Sequence, residues 1–415
     1  MATVVACVAT GDDAASVTSQ WLTRDVFFIS LSAFFADMGY QAVTAVFPLL
    51  IVVDMKEPAY TYGLLLALSY GVGSVFSLYG GRLGERHDKK RLALIGNLLI
   101  PLMSISVLSP NVFLLGALFV LGWWARYFRT PSRRAWLVEV SSPAHRSRIF
   151  GFLHALDVGG GMIAVVYSVV LLLLGFSVKD IVLVTAIPLF VSSLSLAVAG
   201  TKPDERFLLE RSRAAEPVGD NPAGKSKGRM ESFVFRMLLL SATLFGFSYY
   251  ALGFPIVTVT LSQSSAVLGI ATFGVYLGVS AVAGYFLGAM RSGRPLRTLW
   301  SLGYLVAAVS SLVIGFSYLS ESGLTLYYLG AAGLGFATGS VETFEPVLVS
   351  TLARSRLSSG MGWLSSTRAI GLFVSNIVMG VLFTYNEFDS YLYAAITAIA
   401  AAAILLFAET RSRMR

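Results

Sequence analysis

Apolar residues fall along this chain in runs of roughly 20, separated by short polar breaks, and a hydrocarbon core ~30 Å thick needs about 20 helical residues to cross it. Marking the runs predicts twelve helices: 25–53, 60–83, 91–109, 111–140, 146–175, 180–200, 232–261, 265–290, 296–319, 323–353, 357–385 and 389–409. One break is long. Residues 201–231 are charged, carry Pro and Gly and are poor in aromatics, as a solvated linker is. The expected division is a tail (1–24), a six-helix bundle (25–200), the linker (201–231), a second six-helix bundle (232–409) and a tail (410–415). The predicted class is an all-α membrane protein of two pseudo-symmetric bundles.

Composition agrees. The 415 residues are 56% hydrophobic and 13% charged, against roughly 25% charged in soluble domains. Twelve spans leave no room for a large soluble domain. A net charge of +8 would ordinarily raise nucleic acid as a partner. Its placement argues against that. When the span ends alternate sides, the basic residues gather on one: Arg82 to Arg91, Arg129 to Arg148, Lys202 to Arg236, Arg291 to Arg297, Arg354 with Arg356, and Arg411 to Arg415. The opposite loops hold Lys56 and Lys179. By the positive-inside rule both termini are expected in the cytoplasm, with the chain multi-pass in the cell membrane. One cysteine, Cys7, excludes a disulfide framework and a multi-cysteine metal site. The segment Met1 to Gly11 lacks a basic leading region, so no cleaved signal peptide is expected.

The halves align with a shift of about 210 residues, the mark of an internal repeat. Gly151, Asp157 and Gly160 of helix 5 then fall on Gly362, Arg368 and Gly371 of helix 11. Arg126 and Arg129 of helix 4 fall on Glu342 and Glu345 of helix 10. The loops after helices 2 and 8 also correspond, reading GGRLGERHDKKR from Gly80 and GAMRSGRPLR from Gly288.

The first of these loops, with Gly81, Glu85, Arg86, Asp88, Lys89, Lys90 and Arg91, resembles the signature loop of the major facilitator superfamily. Six spans, a basic linker and six spans are also that family's layout, so the resemblance covers the whole chain. Asp88 stands where the family usually has Gly, and Met290 replaces the acid in the second copy. The stretches ARYFRTPSRRAW (125–136) and FGFLHALDVGGG (150–161) are similar to helices 4 and 5 of prokaryotic members, among them proton-coupled efflux proteins. Gly159, Gly160 and Gly161 lack the helix 5 proline that marks many antiporters of the family. Physically, Gly81 would let two helices approach. Glu85 could sit near the N-terminus of helix 11, around Ser358 and Ser359, where the dipole favours an acid, and could be held by Arg86, Arg133 or Arg134. The expectation is a cytoplasmic gate of Gly81, Glu85, Arg86 and Arg133. Lys89, Lys90 and Arg91 read as an anchor to anionic headgroups.

Ionisable groups at mid-membrane are costly and mark sites. Asp37, Arg129, Asp157, Glu342 and Arg368 each lie about 11 residues from the cytoplasmic end of a span, or about 16 Å deep at 1.5 Å per residue. The repeat places bases on helix 4 against an acid on helix 5, and acids on helix 10 against a base on helix 11. Asp157 is expected to pair with Arg129 or Arg126, and Arg368 with Glu342 or Glu345. Such pairs would serve to neutralise charge and join helices as readily as to take part in transport. One of Glu342 and Glu345 is left over, and burial favours its protonated form. A carboxyl that titrates near neutrality suits proton coupling, so Asp37, Glu342 and Glu345 are the proton-coupling candidates. The alternative for Asp37 is a salt bridge to Arg126.

Asp37 lies on a stripe of helix 1 with Ser30, Phe34, Gln41, Thr44 and Pro48, spaced by three and four. Ser30, Phe34, Gln41, Thr44, Trp123 and Tyr249 are the candidate lining of a substrate cavity. His154 is a weaker candidate relay. No metal site, cofactor, nucleophile or phosphate-cradling loop is visible, so neither catalysis nor ATP-driven transport is expected. The expected function is secondary active transport of a small solute by alternating access, coupled to protons, in a monomer surrounded by membrane lipids. Export of amphipathic or drug-like compounds comes first, import of a small metabolite second, and a receptor or channel on the same fold is the alternative of another class.

Overall fold

A computed structural model describes residues 22–140, 146–200, 225–248, 252–289, 294–320, 323–352 and 357–413. Helix α1 is Arg24–Pro48 and continues as a π-helical segment, Leu49–Asp54. Helix α2 joins Ala59–Ala67 and Gly73–Arg86 through a π segment, Leu68–Val72. Helix α3 runs Lys89–Leu99 and on through Leu102–Ile105. Then follow α4 (Val112–Glu139), α5 (Arg146–Leu173) and α6 (Val178–Val184 with Ala186–Val198). The second half has α7 (Lys225–Ser248 and Gly253–Gln263), α8 (Ala266–Ala289) and α9 (Pro295–Thr298 continuing through Leu299–Leu305 to Val306–Leu319). It ends with α10 (Leu324–Leu352), α11 (Leu357–Tyr385) and α12 (Glu387–Arg413).

Among the described residues eleven helices are long and apolar enough to span a membrane. Helix α10 has the length, but its Gly, Ser and Thr residues and its two glutamates dilute its apolar character. In lipid every backbone group must be satisfied within the protein, and an unbroken helix does this by itself. Caps set the ends. The Thr23 side chain accepts from the Val26 N–H, Asp88 from Arg91 and Asn111 from Phe113, while Ser177 and Asp180 form a reciprocal capping box. Asp88, the departure from the family loop, is thus the cap of α3. Helix α7 begins at Lys225, inside the stretch expected as linker, and α12 reaches Arg413, beyond 409. Hydropathy marks where lipid ends, whereas a helix stops where a cap or breaker stops it.

Large apolar side chains face outward, Phe113 at 85% exposure and Tyr285 at 74%, while charged groups lie inside. That inversion is the signature of a lipid solvent. Packing within the first half joins α1 to α5 and α6, α4 to α2 and α3, and α3 to α6. The second half repeats it, joining α7 to α11 and α12, α10 to α8 and α9, and α9 to α12. Close crossings recur as well: a Cβ on Gly160 of α5 would strike the Phe34 carbonyl of α1, and one on Gly371 of α11 would strike Gly246 of α7.

The halves meet through α2 against α11, α5 against α8 and α1 against α7. The contacts include Gly63 on the backbone of Asn376 and Gly380, Gly71 on Phe373, and the Tyr60 N–H donating to Thr384 Oγ1 at 3.0 Å. Tyr60 and Thr384 lie at the end of the bundle that also holds Asp54, Asn111 and Lys179. The basic ends, with Asp25, Lys90 and Gly200, lie at the other.

Candidate functional site

Tyr40 lies one turn beyond Asp37 on the same face of α1, so its hydroxyl donates to Asp37 Oδ1. Arg126 of α4 donates to the same hydroxyl at 3.1 Å. Its guanidinium lies 4.2 Å from the Tyr40 ring centroid, 5.0 Å from that of Trp123 and 5.7 Å from that of Tyr127. Asp37 is 5% exposed. A buried carboxylate needs hydrogen bonds and countercharge, and here they arrive in series through the phenol. The direct salt bridge of Asp37 to Arg126 is replaced by this three-member chain.

The remaining basic residues of α4 depart from expectation. Arg129, 1% exposed, donates to Asn97 Oδ1 of α3 rather than to an acid. The Asn97 amide donates in turn to Ser193 at 2.7 Å and Ser192 at 3.1 Å, and Ser192 donates to the Ser32 carbonyl. Asp157 forms no ion pair with Arg126 or Arg129 among the described residues, and its Oδ1 is buried without a hydrogen-bond partner. The expected Asp157 pair is therefore corrected: three residues along α4 from Arg126 turn the side chain about 60° away, toward α3. Asp157 still lies close enough to act electrostatically on Asp37, as do Arg126 and Arg133.

In the second half Arg368 holds both glutamates. Its Nε donates to Glu345 Oε2 at 2.7 Å and its Nη1 to Glu342 Oε1 at 2.7 Å. Glu345 Oε1 accepts from Tyr304 at 2.7 Å, and that ring stacks on Phe245 at 4.3 Å. The glutamate expected to be left over has a partner, because a planar guanidinium offers donors to two carboxylates at once. The two differ in setting: the Glu345 side chain is fully buried and that of Glu342 is 53% exposed.

The cavity candidates separate. Phe34, Gln41 and Thr44 are partly exposed, with the Thr44 hydroxyl turned back on the Tyr40 carbonyl at 2.9 Å. Ser30 is fully buried in protein and is corrected as a lining residue. Trp123 is 3% exposed, enclosed by Tyr40, Tyr70, Phe119 and Tyr127, so it walls the site from behind. Tyr249 lies outside the described residues, as does the side chain of His154.

The gate loop is partly rewritten. A Cβ on Gly81 would meet only ordinary contacts, whereas one on Gly80 would overlap the Phe128 carbonyl, so Gly80 makes the close approach of α2 to α4. Arg86 is exposed and enters none of the described ion pairs. The Glu85 side chain lies outside what is described. Arg133 is 4% exposed, with Nε and Nη1 unpartnered. Lys89 pairs with Glu139 at 2.6 Å, and Lys90 donates to the last carbonyls of α6, so these two fasten the first bundle.

Sequence reasoning missed Tyr40, Asn97 and Tyr304. Tyr40 had a signal, one helical turn from Asp37. Asn97 also had one, an amide within an apolar run. Tyr304 had none, because only tertiary packing brings α9 to Glu345.

A family profile described as Major Facilitator Superfamily matches residues 29–374. No curated protein matches the chain. Among solved structures, a POT family transporter in complex with a thioalcohol-conjugated peptide superimposes with a TM-score of 0.73 at 13% identity, covering 94% of this chain and 96% of that one. The nucleoside transporter NupG gives 0.71 at 12%, covering 92% and 98%. A bacterial homolog of the human lysosomal transporter Spinster, inward-facing and occupied, gives 0.70 at 14%, covering 97% and 98%. At such identities the likeness is one of fold. The profile match, spanning most of the chain, together with the repeated six-helix architecture, makes this multi-pass membrane protein a member of the Major Facilitator Superfamily.

Proposed function

We propose that this transporter is a proton-coupled secondary carrier, with Asp37 as the coupling group. The observation that carries this is the hydrogen-bonded series from buried Asp37 and Tyr40 to Arg126. An ionised carboxylate at mid-membrane persists only while compensated. Gain or loss of its proton therefore changes what holds Arg126, and α1 and α4 move with that bond. Glu345, Glu342 and Arg368 form the counterpart in the second half, where Glu342 is the more accessible acid. Alternating access would occur by rocking of the two halves. The basic end is assigned to the cytoplasm by charge, and contacts such as Tyr60 to Thr384 would then close the outer side.

The solute is a small organic compound, and the resemblance to proton-coupled efflux members makes export the expected direction. Proteoliposomes with an imposed pH gradient test both points. Asp37→Asn should abolish gradient-driven movement while exchange of solute across the membrane continues. The gradient polarity that drives movement gives the direction. Undiminished gradient-driven movement in Asp37→Asn removes the assignment.

A further inference from the structure

Positive charge exceeds negative in the interior of the first half. Arg126 and Arg133 lie seven residues apart on one face of α4, and Arg129 lies between them, turned toward α3. The acids acting there are Asp37 and Asp157. Buried guanidinium atoms are left over: Nε of Arg126, Nε of Arg129, and both Nε and Nη1 of Arg133 have no hydrogen-bond partner. Arg129 and Arg133 are 1% and 4% exposed, so water does not readily replace those partners. Unpaired buried polar atoms of a charged group are costly, and in a native protein each calls for an explanation.

The surroundings of Arg126 are aromatic. Tyr70 lies 5.1 Å from Trp123 and 6.5 Å from Tyr127, centroid to centroid. Tyr276 of α8, in the other half, is buried, and its hydroxyl donates to Thr338 at 3.2 Å. The partly exposed members of the group are Arg126, Tyr70 and Tyr127, so the open side of the cluster presents one cation between flat rings.

We propose that the solute is an amphipathic organic anion, whose carboxylate or phosphate is held by Arg126 and whose flat apolar body lies against Tyr70 and Tyr127. The anion supplies the charge that the first half lacks. Charge-assisted bonds to guanidinium favour planar oxyanions, and the rings favour an aromatic or similarly flat body. This deepens the proposed function by naming the substrate class of the same site. It does not depend on proton coupling, because it concerns equilibrium binding.

The test is equilibrium dialysis of the purified full-length protein in neutral detergent, without a gradient. The probes are naphthoate, the isosteric naphthylmethylamine and naphthylmethanol. Naphthoate should bind at least about tenfold more tightly than the other two, the value of one charge-assisted hydrogen bond. Arg126→Gln should weaken it by about tenfold or more, while Arg126→Lys, which keeps the charge and guards against a folding failure, should retain more of the binding than Arg126→Gln does. Equal binding of the amine overturns the proposal. So does naphthoate binding unchanged in Arg126→Gln. Displacement of naphthoate by added phosphatidylglycerol, but not by soluble benzoate, would identify a lipid-headgroup site and also overturn it. Loss of gradient-driven transport in Asp37→Asn with naphthoate binding intact would leave both readings standing. Intact gradient-driven transport there would remove only the coupling assignment.

Discussion

Arg126 packs its guanidinium over the ring of Tyr40 and donates to that ring's hydroxyl, so one tyrosine offers both a π face and an acceptor to one arginine. The same hydroxyl donates onward to Asp37. Acid and base therefore communicate without touching, and the phenol is the component whose removal separates them.

Tyr40→Phe keeps the ring under Arg126 and deletes the link. Asp37 then loses a donor and Arg126 an acceptor, at a cost of about 1–3 kcal/mol for the buried groups left unsatisfied. Thermal unfolding in detergent should fall accordingly. In proteoliposomes gradient-driven movement should drop more than solute exchange does. Equal loss of both would show that Tyr40 serves only to fix structure.

Glu342 and Glu345 share Arg368, and the expected outcomes for their amides differ. Glu345→Gln breaks a fully buried pair that also binds Tyr304, a class of change that costs roughly 3–5 kcal/mol. Glu342→Gln breaks a half-exposed pair worth at most about 1 kcal/mol. Unfolding curves of the two variants should be well separated, and similar curves would contradict the burial difference.

Three consecutive glycines of α5 are not equivalent. A Cβ on Gly160 would overlap the Phe34 carbonyl oxygen, whereas one on Gly159 would meet only the Phe34 ring at 3.8 Å. Gly160→Ala must push α1 and α5 apart, and overpacking of this kind costs about 1–3 kcal/mol. Gly159→Ala should be neutral or slightly stabilising, since Ala exceeds Gly in helix propensity by about 1 kcal/mol. Comparison of folded yield and unfolding temperature decides it.

The Tyr60 to Thr384 contact ties α2 to α11 at the end away from the basic loops. In a Cys7→Ser background, Tyr60→Cys with Thr384→Cys should oxidise readily to a disulfide and stop turnover, and reduction should restore it. A crosslinked protein that still transports would show that the halves need not separate there.

The gate loop shows how far the sequence reached. Its glycines and bases were legible as a motif, but the motif did not say which glycine touches α4 or that Lys90 would reach the carbonyls of Ala197 and Ala199. Those facts depend on where α6 ends in space, and linear spacing carries no such information.

The number and length of the spans, the side on which the basic loops gather and the presence of ionisable groups at mid-depth were written in the chain itself, because lipid admits only long apolar helices and exacts a large penalty for each buried charge. The repeat between the halves, visible in the matching of Gly160 with Gly371, was legible for the same reason. Which charge meets which partner was decided by the fold. Along a helix three residues amount to a rotation of about 60° relative to the starting face, so Arg126 reaches Tyr40 while Arg129 turns to Asn97. Whether a given side chain finds an acid, an amide or a ring depends on the neighbour that helix packing brings to that face, and only the assembled bundle supplies the neighbour.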